Sequence, residues 1–189
     1  YMCLAGLFFP IAAMAQQDKT LCDFETPESY VSVRAYDTCP TSPFNLNKLT
    51  GNVQVVENDL NQVDEALGYA PNESAKILGV QRSRYGSNTF GALVELKEPL
   101  ALKRETQYVH VKFYSTQDAP VMLIGLGNRE DRPWQPATTE QFWSVPTSKV
   151  NGGAWQDVVF PIMGANGINI KSLLVVVDRQ SPHNQMSDF

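Results

Sequence analysis

Trp134, Phe142 and Trp143 lie within Asn128–Trp143, NREDRPWQPATTEQFW, among Arg129, Glu130, Asp131, Arg132, Gln135 and Gln141. Flat aromatic faces pack against the C–H groups of a pyranose ring, while amides, carboxylates and guanidinium groups hydrogen-bond its hydroxyls. Trp134 stands between Pro133 and Gln135-Pro136. Proline breaks helices and offers no ladder N–H, so this tryptophan belongs to a loop. Two placements are open for it: a platform for a ligand, or a plug folded back over one end of the fold. Arg132 supplies a guanidinium in the same loop. Phe142 and Trp143 are neighbours on a strand-like run, so one of them must point inward.

A second group is Gln81-Arg82-Ser83-Arg84-Tyr85, which runs into the turn residues Gly86-Ser87-Asn88. On a strand, Arg82 and Arg84 would share one face with Tyr85 at the tip, an arrangement suited to an acidic sugar or carboxylate. The plainer alternative is a solvated strand end. His110, Lys112 and Tyr114 also share one face of an alternating run. Catalytic signatures are scarce: no G-x-S-x-G, P-loop or H-E-x-x-H string occurs. A Ser/His/Asp set would have to draw on His110 or His183. A glycosidase pair needs two carboxylates about 5–9 Å apart, which counting residues does not reveal. Two histidines and three cysteines show no zinc spacing. A net charge of -5, with no Lys/Arg cluster, argues against nucleic acid as the main partner.

These residues need strands to position them. Strand-like runs recur at Leu21–Glu25, Tyr30–Tyr36, Val53–Glu57, Ala75–Arg82, Gly91–Leu96, Tyr108–Ser115, Val121–Gly127, Phe142–Val145, Trp155–Ile162 and Leu173–Asp178. Only Leu60–Gly68 reads as a helix candidate. Asn151-Gly152-Gly153 and Gly164-Ala165-Asn166-Gly167 mark loops. Many short strands at this spacing predict an all-β, antiparallel two-sheet sandwich or barrel, as a single domain over residues 21–189. Within it, Tyr108–Leu126 reads as a hairpin turning at Gln117-Asp118, with Pro120 just after.

At the N-terminus, Leu4–Ala13 is apolar and uncharged, and Ala13-Met14-Ala15 is a small-residue cleavage site, so residues 1–15 read as an export signal. At about ten residues this run is shorter than the roughly 20 needed to span a bilayer. It lacks a basic start, and the expectation is that a few upstream residues are missing. No second apolar span follows, which predicts a secreted, periplasmic or cell-surface protein. Cys22 and Cys39 would then be free to pair, stabilising the N-terminal arm by about 2–4 kcal/mol. Two separate buried thiols are the alternative.

The order of Asp23-Phe24-Glu25, FGALVELKEPLAL, YVHVKFYSTQDAPVMLIGL, AWQDVVFPI and SLLVVVDR over residues 23–179 resembles the jelly-roll, galactose-binding-like β-sandwich modules of secreted polysaccharide-degrading proteins of Bacteroidetes-type bacteria. The resemblance implies a jelly roll with Trp155, Val158 and Phe160 in a late core strand. It implies non-catalytic binding of a poly- or oligosaccharide at Trp134, Trp143, Arg82, Arg84, Tyr85 and Arg132, within a larger secreted protein. It also implies one structural Ca²⁺ on Asp23, Glu25 and Asp188, and a closing strand that would begin near Phe189. Two other readings are a structural or adhesion module and a jelly-roll polysaccharide-degrading enzyme. Lyases of that architecture carry Gln-x-His and Tyr-x-Lys-x-Gly strands; Tyr108-Val109-His110-Val111-Lys112 repeats only their residue types.

Overall fold

Alternating apolar and polar residues, with continuous apolar runs where both faces are covered, produce nine strands among the described residues. The computed structural model describes residues 19–38, 52–60, 72–82 and 89–177. The strands are β1 (Tyr30–Asp37), β2 (Asn52–Glu57), β3 (Lys76–Gln81), β4 (Phe90–Ala101), β5 (Gln107–Phe113), β6 (Met122–Arg129), β7 (Thr139–Ser144), β8 (Gln156–Ile162) and β9 (Ile168–Val176). They form a five-stranded sheet in the order β1-β4-β9-β6-β7 and two pairs, β2-β3 and β5-β8. All pairings are antiparallel. The result is an all-β sandwich of jelly-roll type. Residues of the Leu60–Gly68 helix candidate beyond Leu60 lie outside the described residues.

The strand pairing shows how sequence parity sets the two faces of the large sheet. Val33, Val94, Leu173, Gly125 and Phe142 form a row across all five strands and meet the main core. One residue along, Arg34, Leu93, Leu174, Ile124 and Trp143 form a row on the opposite face. The β5-β8 pair packs Val109, Val158 and Phe160 into that core, against Val94, Leu123 and Ile170. Its other face carries Tyr108, His110 and Lys112, opposite Pro161, Val159 and Asp157.

The Tyr108–Leu126 hairpin does not form. Both of its strands exist, but β5 pairs with β8, whereas β6 lies between β9 and β7 in the other sheet. The reason is burial. β6 places Leu123 against one cluster of core residues and Met122, Ile124 and Leu126 in another, so it needs cover on both faces and ladder partners on both sides. β5 is apolar on one face only. The intervening Tyr114–Val121 segment therefore carries the chain between sheets. Ser115 Oγ donates to the Gln117 carbonyl at 2.6 Å, and Gly153 N–H donates to the Ser115 carbonyl at 2.7 Å. Asp118 accepts from Gly152 N–H at 3.0 Å and pairs with Lys149.

The Leu21–Glu25 run is a turn rather than a strand. Phe24 takes a φ of 59°, and Asp23 Oδ1 accepts N–H bonds from Glu25 and Thr26, each at 3.1 Å. Cys22 carries a free thiol 3.8 Å from Ser29 Oγ, and Cys39, its expected partner, lies outside the described residues. Cys22 packs against the core, and this burial pushes its thiol pKa up. It behaves as a small apolar side chain.

Two exposed carboxylates are expected to lend the fold a small acid sensitivity. The bond from Lys149, then the Gly152 amide, holds Asp118 below the ordinary aspartate range. The Thr26 amide foremost does the same for Asp23. A depressed folded-state pKa contributes stability that is present above the unfolded value of about 3.9 and is lost as pH falls through the folded one. Thermal midpoints should therefore hold from neutrality to about pH 5 and drop below about pH 4. Asp118→Asn should remove part of that drop; an unchanged profile in the variant would dissociate the Asp118 pair from acid stability.

Candidate functional site

The β6–β7 connection carries the exposed tryptophans. β6 ends at Arg129, whose guanidinium holds the Asp131 carboxylate at 2.8 and 3.0 Å. That bidentate pairing lowers the Asp131 pKa. Arg132 N–H donates to the Arg129 carbonyl, Gln135 N–H to Arg132, and Thr139 N–H to Pro136, at 3.0–3.1 Å. Glu130 N–H donates to the Gly167 carbonyl at 2.8 Å, which fixes the loop to its neighbour. These successive turns carry Trp134 outward with 77% of its surface exposed. The plug placement is thus excluded. Arg132 is exposed in the same loop.

On β7, Phe142 turns inward and Trp143 outward. Gly125, directly opposite Phe142, has no side chain; a Cβ there would lie 2.6 Å from ring atoms Cδ1 and Cζ. The missing side chain leaves room for the phenyl ring, and this decides the parity of the strand. Trp143 is 52% exposed, and its Nε1–H donates to Glu140 Oε2 at 2.6 Å. The indole is thus tethered by its edge, and its ring is presented at the margin of the sheet. Trp134, Arg132, Glu140 and Trp143 all belong to the β6–β7 hairpin.

Other expected site residues are placed elsewhere. Arg82 follows β3 and is only 3% exposed, with Nη1 donating to the Val177 carbonyl at 3.4 Å. It is not on a solvated face: it keeps the parity of Leu78, which packs against the core, rather than that of the exposed Gln81. Arg84 and Tyr85 lie outside the described residues, as does Asp188. Glu25 Oε1 accepts the Lys76 N–H at 3.1 Å. With Asp23 occupied by its own turn, the two carboxylates serve different backbone amides. Among the described residues, no group of three His, Cys, Asp or Glu side chains could hold a metal ion.

Trp155 is a core residue, 6% exposed, with its Nε1–H donating to the Leu60 carbonyl at 3.0 Å and its ring 5.6 Å from that of Tyr114. Tyr114 is consequently half-buried and does not join the exposed face of His110 and Lys112. On that face His110 Nδ1 lies 2.8 Å from Asp157 Oδ2.

One surface was not visible as a motif. Asn52, Gln54 and Val56 of β2, with Gly79, Val80 and Gln81 of β3, line an open groove of about 150 Å³. Asn52 faces Gln81 and Gln54 faces Gly79 across the ladder. The single hint was a glycine in the middle of a strand.

No protein-family model matches this sequence, and no curated protein matches it. Among solved structures, the chain is similar to the CBM22-1–GH10 modules of endo-1,4-beta-D-xylanase 10B from Clostridium thermocellum, complexed with xylohexaose. The TM-score is 0.48 with 14% identity, over 85% of this chain and 25% of that one. The chain thus spans a quarter of that structure's length. No helix among the described residues is long and apolar enough to cross a membrane.

Proposed function

We propose that this protein is an exported, non-catalytic glycan-binding module that stacks sugar rings on the tryptophans of the β6–β7 hairpin. The observation that carries this reading is the outward display of two indoles from one short hairpin, one of them edge-tethered by Glu140. Large apolar rings left in water cost solvation free energy, and each exposed indole offers a flat face that a sugar ring can cover. The tether leaves the ring faces for C–H packing and limits the rotamer entropy lost on binding. Arg132 of the same hairpin and the remaining acceptor capacity of Glu140 supply polar groups that would hydrogen-bond hydroxyls.

Affinity electrophoresis against neutral and acidic polysaccharides tests the reading. Trp134→Ala and Trp143→Ala should each weaken retention by about tenfold, or about 1.4 kcal/mol. Both residues are exposed, so the thermal midpoint should change little. Flat mobility of the parent protein on every polysaccharide, or unaltered binding by both variants, would remove the proposal. Assays for reducing or unsaturated ends on the same substrates separate binding from cleavage. A midpoint raised by added Ca²⁺ and lowered by chelator would reveal the expected structural ion.

A further inference from the structure

Gly79 sits in the interior of β3, where glycine weakens a strand and offers nothing to pack. Other strand glycines have a packing reason. A Cβ on Gly127 would lie 2.9 Å from the Asn169 carbonyl carbon, and one on Gly125 would enter the Phe142 ring. Gly79 has none. A Cβ there would meet nothing closer than Val56 Cγ2 at 3.4 Å and Gln54 O at 3.5 Å, which is ordinary contact. Its φ is not in the left-handed region, which among the described glycines holds only Gly153 and Gly167. Neither packing nor backbone geometry requires glycine here. What its absent side chain provides is the open floor of the β2-β3 groove.

The lining has a definite chemistry. Asn52, Gln54 and Gln81 are exposed and supply three carboxamides, each with donors and an acceptor. That combination complements hydroxyls, which both donate and accept. Val56 gives a small apolar flank suited to C–H groups. None of the lining residues is charged. The groove is open-sided, which suits an internal stretch of a chain better than an enclosed terminal sugar.

We propose that the β2-β3 groove is a second binding surface, which takes a neutral polyhydroxylated chain across Gly79. The inference rests on the glycan-binding reading above and adds to it a subsite separate from the tryptophans. It makes the glycine a functional choice held at some cost in stability.

Titration calorimetry of the whole protein tests this, with neutral β-linked hexasaccharides of xylose, glucose or mannose and a hexagalacturonate as the acidic probe. Gly79→Val should raise the thermal midpoint by about 2–4 °C while lowering affinity for the neutral chain by about tenfold or more. Gln54→Ala should lower affinity by about fivefold, and its exposed position keeps the test open if Gly79→Val fails to fold. Parent-like binding by Gly79→Val and Gln54→Ala, beside loss in a Trp134→Ala/Trp143→Ala protein, would overturn the groove and leave the tryptophan reading standing. Preference for hexagalacturonate over every neutral probe would also overturn it. A parent protein silent to all probes would overturn both.

Discussion

Gly91→Ala is expected to abolish folding or come close to it. Gly91 lies on β4, directly opposite Val176 of the central strand β9. A Cβ at this position would stand 2.7 Å from the Val175 carbonyl carbon, closer still to its oxygen, and 3.0 Å from Leu174 Cδ1. The obstacle is backbone, which cannot change rotamer to escape. β9 is also hydrogen-bonded to β6 along its far edge, so relief requires moving a strand clamped on both sides. Overpacking a core commonly costs about 1–3 kcal/mol, and displacing a central strand should bring the loss to on the order of 4 kcal/mol. Natural domains hold only about 5–15 kcal/mol in total. Urea denaturation and soluble yield measure the effect. Gly79→Ala is the matched control, with the same chemical change in a strand and little or no loss expected. Equal midpoints for Gly91→Ala and the parent protein would contradict the β4–β9 register.

Phe160→Ala is expected to cost about 3–5 kcal/mol, the usual range for a buried phenylalanine. The ring is 1% exposed and comes from β8 opposite Val109, in the cluster shared by both layers of the sandwich. Its removal leaves a void lined by strands of different sheets, and neither can close on it without losing its own ladder. Phe160→Leu keeps most of the volume and should cost less than about 1.5 kcal/mol. A lower urea midpoint with unchanged slope would identify lost packing rather than a changed denatured state. A loss below about 1 kcal/mol for the alanine variant would mean that the layers do not depend on this contact.

Alternation and short apolar runs made nine strand positions readable, since a half-buried strand varies its residues with period two and a strand covered on both faces stays apolar throughout. It did not make partners readable. Nothing in YVHVKFY and VMLIGL says that these neighbours part company. The deciding quantity is the second buried face of β6, which becomes visible only with β7 and β9 beside it. The site shows the same division. Pro133 and Pro136 correctly placed Trp134 in a loop, but which of Phe142 and Trp143 faces outward depends on Gly125 across the ladder. Arg82 misled because it was read as a charged, solvated partner of Arg84, whereas it shares the parity of Leu78, which packs against the core. Gly79 was plainly present in the sequence. Its meaning depends on the space above it, because a strand glycine that nothing presses upon differs from one under a carbonyl.

The position of β9 has a consequence for how the protein reaches this structure. β9 is the last of the described strands along the chain and the middle one of the five-stranded sheet, between β4 and β6. A chain emerging from its N-terminus therefore completes both flanks before the strand that joins them exists. Until then, β4 and β6 each present a long apolar ladder edge, which is prone to pairing with other chains. No smaller version of the large sheet can form by adding strands in order. Closure must wait for contacts spanning most of the sequence, which places folding in the slow, milliseconds-to-seconds regime of non-local β topologies. The same insertion that makes the native sheet hard to unzip makes its assembly a late and concerted event.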